Sequence, residues 1–190
     1  HYWRWGLKGE SADDYGLRVA NELEDKIIEL GADNVSTFIA ETIVGATMGA
    51  VPAVDNYFKR IRDICNKYDV VMILDEVMCG MGRTGQLYAF EYYSIVPDIV
   101  CVAKGLGAGY QPIGAMICND MIYDSINNSS GYFQHSHTYS AHPVACAAGV
   151  SVLKEISKIS TLNNIENLGI KLLNKLLEEF RDCPNIGNIR

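Results

Sequence analysis

Two apolar stretches decide the fold: VVMILDE at residues 70–76 and DIVCVAKG at residues 98–105. In neither stretch do polar and apolar residues alternate, which is typical of parallel strands that are buried on both faces. A third stretch, IGAMIC at residues 113–118, predicts a third strand of the same kind. Helical patterns separate and flank these strands, so the sequence predicts an α/β fold with a mostly parallel sheet.

The helical patterns have ends that the sequence marks. Ser11 is predicted to cap the first helix and Gly31 to end it. A short strand is predicted at residues 35–40, and Asp55 is predicted to cap the next helix. Pro143 suits the first turn of a further helix. A last amphipathic helix is predicted from the apolar line Ile165, Leu168, Leu172, Leu176 and Phe180.

The composition argues against several classes of protein. The 190 residues include 16 Lys and Arg against 23 Asp and Glu, which gives a net charge of −7. Without a basic cluster, no nucleic-acid partner is expected. No segment has the roughly 20 consecutive apolar residues of a membrane span. The six cysteines form no C-x-x-C pair, and no targeting segment is recognisable, so we expect buried free thiols in a cytoplasmic protein.

Glycine is concentrated in one region of the chain. Seven of the 17 glycines lie between residues 80 and 114, after the two most apolar predicted strands. In a doubly wound sheet, the loops after the carboxyl ends of the strands form the ligand crevice. Glycine in such loops lets the backbone approach a ligand closely. The alternative is two glycine-rich turns that bind nothing.

An ionisable side chain follows each of these strands. Asp75 follows the first and Lys104 the second, so a carboxylate and an amine can face one crevice. We expect the position of Lys104, between an apolar strand and a glycine loop, to desolvate its amine in part. Such an amine is a nucleophile for carbonyl carbon, and a pyridoxal phosphate enzyme needs this pair of groups. The alternative, an ordinary ion pair at the edge of the sheet, stays open at this point.

Four motifs together resemble a known family. They are ETIVGA at residues 41–46, ILDEVMCGMGRTG at 73–85, AKGLGAG at 103–109 and HTYSAHP at 137–143. In this order and spacing they are similar to the class III aminotransferases, which are pyridoxal phosphate enzymes of fold type I. The resemblance implies the three-layer α/β/α large domain of that fold, with residues 1–190 forming part of it, incomplete at both ends.

The resemblance also implies roles for individual residues. Lys104 matches the lysine that forms the Schiff base with pyridoxal 5'-phosphate, and Asp75 matches the acid that pairs with the pyridine nitrogen. Val77 matches the side chain packed against the cofactor ring. Thr138 matches the threonine that binds the cofactor phosphate of the neighbouring subunit, which implies a homodimer with shared active sites. Glu41 matches an acidic residue near the substrate.

The implied reaction is ping-pong transamination. An amino group would pass from an amino acid or amine donor to the cofactor, and then to an oxo-acid acceptor. In the family, the phosphate-binding turn and the C-terminal domain lie outside the matched region, and residues 186–190 resemble the start of that domain. We therefore expect the 190-residue chain to be inactive by itself.

Several alternatives remain open at the level of sequence. An aminomutase or a decarboxylase of the same class would use the same Lys104 and Asp75, and a non-catalytic chain could keep the fold. By residue type alone, Val77 could be a core residue and Thr138 a loop hydroxyl. Arg83 receives only a supporting role. The histidines and the cysteine in residues 135–146 do not have the spacing of a zinc site, so no metal is expected.

Overall fold

The computed structural model describes residues 1–189. Residues 186–190 resemble the start of the family's C-terminal domain, and the last of them, Arg190, lies outside the described residues. The strands are β1 (Thr37–Glu41), β2 (Ile43–Val44), β3 (Val51–Pro52), β4 (Val71–Asp75), β5 (Ile99–Val102) and β6 (Ala115–Cys118). The helices are α1 (Tyr2–Trp5), α2 (Ala12–Leu30), α3 (Asp55–Tyr68), α4 (Asp120–Asn128), α5 (Pro143–Ile156) and α6 (Ile159–Glu179). Short 3-10 helices lie at Ala32–Asn34, Ala89–Tyr93 and Lys104–Leu106.

The main sheet has four strands in the order β1-β4-β5-β6. β1 runs parallel to β4, and β4 runs parallel to β5, whereas β6 is antiparallel to β5. The register places Glu41 beside Asp75, and Asp75 beside Cys101, in one row at the carboxyl edge. The prediction of an α/β fold with a mostly parallel sheet is confirmed.

The prediction for the third apolar stretch, residues 113–118, is wrong in two respects. Its strand, β6, is antiparallel, and three of its four residues are exposed. A parallel partner needs a crossover that returns the chain to the opposite end of the sheet, usually through an α-helix. Residues 103–114 hold only the short 3-10 helix Lys104–Leu106, so the chain turns back beside β5 instead.

The core lies between the sheet and the helix pair α2 and α3. Met72 and Leu74 of β4 are fully buried against Phe58 and Ile61 of α3. Side chains alternate between the faces of a strand, and on the opposite face Ile39 is 65% exposed. A second, smaller cluster joins β5 to the glycine-rich loops and α5, through Met81, Val100, Val102 and Leu106.

Most helix ends follow the sequence prediction. The Ser11 side chain accepts a hydrogen bond from the Asp14 amide, and Gly31 follows the last residue of α2. α5 begins at Pro143, as predicted. The prediction for Asp55 is wrong, because Val54 is the N-cap of α3 and Asp55 is its first residue. A carboxylate in the first turn still interacts favourably with the helix dipole.

A mostly buried ion pair lies at the other end of the sheet. The Asp98 carboxylate accepts hydrogen bonds from Arg62 Nη1 at 2.8 Å, the Met72 amide at 2.7 Å and Asn119 Nδ2 at 3.1 Å. Both charged side chains are 14% exposed. The carboxylate therefore links α3, β4 and the start of α4 at the edge of the sheet opposite the glycine-rich loops.

All six cysteines are free thiols, but only Cys65 and Cys79 are buried, and Cys146 is exposed. Burial raises the pKa of the Cys65 and Cys79 thiols to about 11. No helix within residues 1–189 is both long enough and apolar enough to cross a membrane.

Candidate active site

Three of the five predicted site residues lie at one edge of the sheet. Glu41 ends β1 and Asp75 ends β4, and the two are neighbours in the register. Lys104 follows β5, which ends at Val102. Parallel strands bring their carboxyl ends to the same edge, so the three residues share one edge of the sheet, whereas a crevice shared by Asp75 and Lys104 stays a prediction.

Asp75 is half-buried and keeps one carboxylate oxygen available. Its Oδ1 accepts a hydrogen bond from the Val77 amide at 2.9 Å. Within residues 1–189, Oδ2 has no hydrogen-bond partner, and Asp75 forms no ion pair with Lys104. The interpretation of the two residues as an ordinary ion pair is therefore not supported. Val77 itself is half-buried in the turn that follows β4.

Lys104 has an unusual backbone conformation. Its φ is +38°, in the left-handed region that side chains other than glycine rarely adopt. The turn is held by hydrogen bonds from the Leu106 amide to the Ala103 carbonyl (2.8 Å) and from the Gly107 amide to the Lys104 carbonyl (3.1 Å). The Lys104 side chain is exposed, so the expectation that neighbouring residues partly desolvate its amine is wrong for the described chain.

The two glycine-rich loops pack directly against each other. A Cβ on Gly105 would lie 2.8 Å from Met81 Cβ, which leaves no room for a side chain. Met81 also has a positive φ, +55°. Helix α5 also packs closely at Gly149, where a Cβ would lie 3.1 Å from Ile113 Cδ1. The contact between Gly105 and Met81 fixes the position of the Lys104 turn relative to the loop at residues 80–85.

A cavity of about 590 Å³ lies between these loops. Lys104, Arg83, Thr84 and Cys79 are among its lining residues, and ligand cavities commonly have volumes of roughly 300–1,000 Å³. The Thr84 hydroxyl oxygen is buried and has no hydrogen-bond partner within the described chain. Asp75 does not line this cavity, so the cavity and the Asp75 carboxylate are separate features of one edge.

Glu41 and Thr138 lie apart from this cavity. Glu41 Oε2 accepts a hydrogen bond from the Gly45 amide at 2.9 Å, and Glu41 lines a different cavity of about 370 Å³. Thr138 is exposed in the loop before α5, and the His142 side chain caps that helix through the Ala145 amide. Among residues 1–189, no group of three or more His, Cys, Asp or Glu could hold a metal ion.

No role was predicted for Glu76 from the sequence, but in the structure its side chain holds the end of β4 to two other segments of the chain. The residue is fully buried. Its Oε1 accepts hydrogen bonds from the Thr42 hydroxyl and the Phe90 amide, both at 2.8 Å, and its Oε2 accepts one from the Ala89 amide at 2.7 Å. Burial raises the pKa of this carboxyl, and the three hydrogen bonds oppose that effect. The one signal in the sequence for a role of Glu76 was its position, as an acidic residue directly after a buried strand.

Comparison with known proteins now identifies the family. The family described as aminotransferase class-III matches residues 7–190. The chain belongs to the class III aminotransferases. The match includes the strands, the glycine-rich loops and the loop that holds Thr138, so the resemblance drawn from the four motifs is confirmed.

Class III aminotransferase relatives are similar over nearly the whole chain. An aminotransferase of Gibberella zeae is 44% identical over 188 residues, which are 99% of this chain and 37% of that protein. The chloroplastic gamma aminobutyrate transaminase 3 of Solanum lycopersicum is 39% identical over 193 residues, covering 100% of this chain and 37% of that protein. The chain thus spans somewhat more than a third of the length of these relatives.

Solved structures agree with this assignment. A thermostable omega transaminase mutant from Pseudomonas jessenii has a TM-score of 0.91 at 38% identity, covering 100% of this chain and 42% of that one. The PMP-bound form of an aminotransferase from Vibrio fluvialis has a TM-score of 0.90 at 35% identity, with the same coverage. The predicted fold class, the large domain of fold type I transferases, is confirmed.

Proposed function

We propose that the protein carrying this chain is a pyridoxal-phosphate-dependent aminotransferase, which moves an amino group from an amino acid or amine donor to an oxo-acid acceptor. The observation that carries the proposal is the placement of both Lys104 and Asp75 at one edge of the sheet, in a chain of the class III family. The family's named relatives are transaminases, and one solved neighbour is a PMP-bound form.

The residues at this edge fit the cofactor. Lys104 offers an exposed amine beside a cavity of about 590 Å³, and Asp75 offers a carboxylate oxygen that no described residue occupies. A half-buried carboxylate of this kind can hold a proton on a pyridine nitrogen. When bound, pyridoxal phosphate supplies an electron sink for negative charge on the substrate carbon.

The chain's own groups then have distinct tasks in this proposal. Lys104 Nζ would hold the cofactor covalently and, when free, would move a proton to or from the substrate as a general base and acid. Asp75 would place a carboxylate beside the ring nitrogen, where charge stabilisation matters most as the reaction proceeds. Val77 would pack against the ring, and Glu41 would stand near the substrate.

Assembly forms part of the same proposal. Thr138 lies in an exposed loop and lines neither of the cavities that Lys104 lines, which supports its binding the cofactor phosphate of a neighbouring subunit in a homodimer. Residues 1–190 would then be part of the large domain, inactive by themselves. A cytoplasmic location stays a prediction, since one relative is named chloroplastic and another mitochondrial.

Chemical trapping tests the proposal in the full-length protein. Incubation with pyridoxal phosphate, reduction with borohydride and peptide mapping should place one cofactor on Lys104. The variant Lys104→Ala should lose the adduct and the conversion of an amino donor to its oxo product, because the nucleophilic amine is gone.

A matched control separates this result from nonspecific labelling. Lys154 lies in α5 and is also exposed, and Lys154→Ala should keep both the adduct and the turnover. An adduct that maps to Lys154, or turnover that survives in Lys104→Ala, would contradict the assignment. Formation of an oxo product also separates transamination from decarboxylation or an amino shift.

A further inference from the structure

The buried carboxylate of Glu76 connects the end of β4 to two segments that are distant along the chain. Its hydrogen bonds reach Thr42, which follows β1, and the Ala89 and Phe90 amides, which begin the 3-10 helix Ala89–Tyr93. Its own amide donates to the Cys101 carbonyl at 2.9 Å, which extends the pairing of β4 with β5. One side chain therefore ties together the elements on either side of the residue 80–85 loop.

Glu76 also shapes the loop itself. The Gly80 amide donates to the Glu76 carbonyl at 2.9 Å. A Cβ on Gly80 would lie 2.8 Å from that carbonyl oxygen and 3.0 Å from Glu76 Oε2, so the loop rests directly on this residue. The next residue, Met81, is the one that leaves no room for a side chain at Gly105.

These contacts form a continuous path from Glu76, through Gly80 and Met81, to Gly105 and Lys104. Gly80 and Met81 are covalent neighbours, as are Gly105 and Lys104, and at the two remaining steps there is no room even for an added Cβ, so a displacement at one end has little room to be absorbed. Within the described residues, no cation neutralises the Glu76 carboxylate, which is held by three hydrogen bonds alone. A buried carboxylate that is held only by hydrogen bonds is destabilised when it loses any one of its donors.

We propose that Glu76 is a positioning residue that sets the Lys104 turn against the residue 80–85 loop. It acts through Gly80 and Met81 and touches neither the cofactor nor the substrate. The catalytic meaning of this inference rests on the proposed function, but the mechanical link between the two loops does not.

The variant Glu76→Gln tests the link with almost no change in size. An amide has one acceptor oxygen where the carboxylate has two, and both oxygens face backbone N–H groups. In either orientation of the amide, the NH₂ group faces Ala89 or Phe90, and one N–H loses its partner. The start of the 3-10 helix and the loop before it should therefore loosen.

Amide hydrogen exchange in the full-length protein measures the result without any need for turnover. The Leu106 and Gly107 amides close the Lys104 turn, and in Glu76→Gln the peptide at residues 103–109 should exchange on the order of tenfold faster. The core peptide at residues 58–65 should exchange as in the wild type. Glu91→Gln is the matched control. Only one Glu91 oxygen accepts a hydrogen bond, from the amide of Tyr88, the residue that caps the same helix.

Three results would overturn the proposal. The first is faster exchange in Glu76→Gln at residues 88–93 alone, with residues 103–109 unchanged. The second is an equal effect of Glu91→Gln on residues 103–109. The third is an acceleration in Glu76→Gln that extends equally to residues 58–65, since that is what a merely structural role predicts.

Two further measurements keep the test decisive. If Glu76→Gln does not fold, Thr42→Val removes one hydrogen bond and keeps the carboxylate, and residues 103–109 should still exchange about three- to tenfold faster; wild-type exchange there would overturn the proposal. The visible absorption band of bound pyridoxal phosphate should shift in Glu76→Gln and not in Glu91→Gln. Failure of the wild type to bind the cofactor would contradict the proposed function, while the exchange result still decides the link.

Discussion

Replacing Gly105 by alanine tests the contact that places the Lys104 turn. The backbone of Gly105 is outside the left-handed region, so alanine can adopt its conformation without strain. The obstacle is space alone, since the new methyl group would lie 2.8 Å from Met81 Cβ. Carbon atoms in ordinary contact are about 3.5–4.0 Å apart, so the two loops must separate by roughly 1 Å.

The expected magnitude follows from two opposing effects. Overpacking of a well-packed contact costs about 1–3 kcal/mol. Alanine also restricts the unfolded chain, which stabilises the protein by about 0.4–1 kcal/mol. The free energy of unfolding should therefore fall by about 1–2 kcal/mol, and cofactor binding should weaken because Lys104 is the adjacent residue.

Urea denaturation and titration with pyridoxal phosphate, both on the full-length protein, check this expectation. Gly169→Ala is the control, since Gly169 lies within α6 with nothing within 4 Å of a new Cβ. Alanine there should raise the free energy of unfolding by about 0.5–1 kcal/mol. If Gly105→Ala proves as stable as the wild type and binds the cofactor equally well, the close contact between the loops is refuted.

Two other substitutions probe the two ends of the sheet. Asp75→Asn keeps the acceptor for the Val77 amide but removes the charge, so a single-turnover half-reaction should slow on the order of a hundredfold while the cofactor dissociation constant changes much less. Arg62→Met removes the charged donor to Asp98, and should lower the free energy of unfolding in urea by about 1.5–3 kcal/mol, because a nearly buried carboxylate loses a charged partner.

Each of these variants has a matched surface control. Asp25 is exposed on α2, and Asp25→Asn should leave the half-reaction unchanged; near-normal turnover in Asp75→Asn would remove Asp75 from its proposed role. Lys26 pairs with Glu29 on the surface at 2.6 Å, and Lys26→Met should cost at most about 1 kcal/mol. Equal decreases in the free energy of unfolding for Arg62→Met and Lys26→Met would show that burial does not strengthen the ion pair between Arg62 and Asp98.

The parts of the fold that the sequence predicts well are those set by local patterns. The stretch at residues 70–74 has no polar residue, and β4 lies where that pattern places it. The end of α2 is equally local, because Gly31 has a φ of +83° that favours glycine. The direction and burial of β6 depend on the chain on either side of it, and an apolar run alone does not contain that information.

The site shows the same division. Asp75 and Lys104 follow directly from two buried strands, and their shared edge is a property of parallel pairing. The role of Glu76 depends on donors 34, 13 and 14 residues away along the chain, and no spacing in the sequence reveals them. The exposure of Lys104 was likewise beyond prediction, because it depends on which other segments cover the glycine-rich loops.

The left-handed backbone of Lys104 has a consequence for engineering. A side chain in that conformation costs about 1 kcal/mol, which glycine avoids. The residue proposed to carry the chemistry is therefore one that thermodynamic stability alone disfavours. A library of the cofactor-free protein screened only for heat resistance would favour Lys104→Gly and discard the nucleophile, so stabilisation of this protein must keep activity under selection at every round.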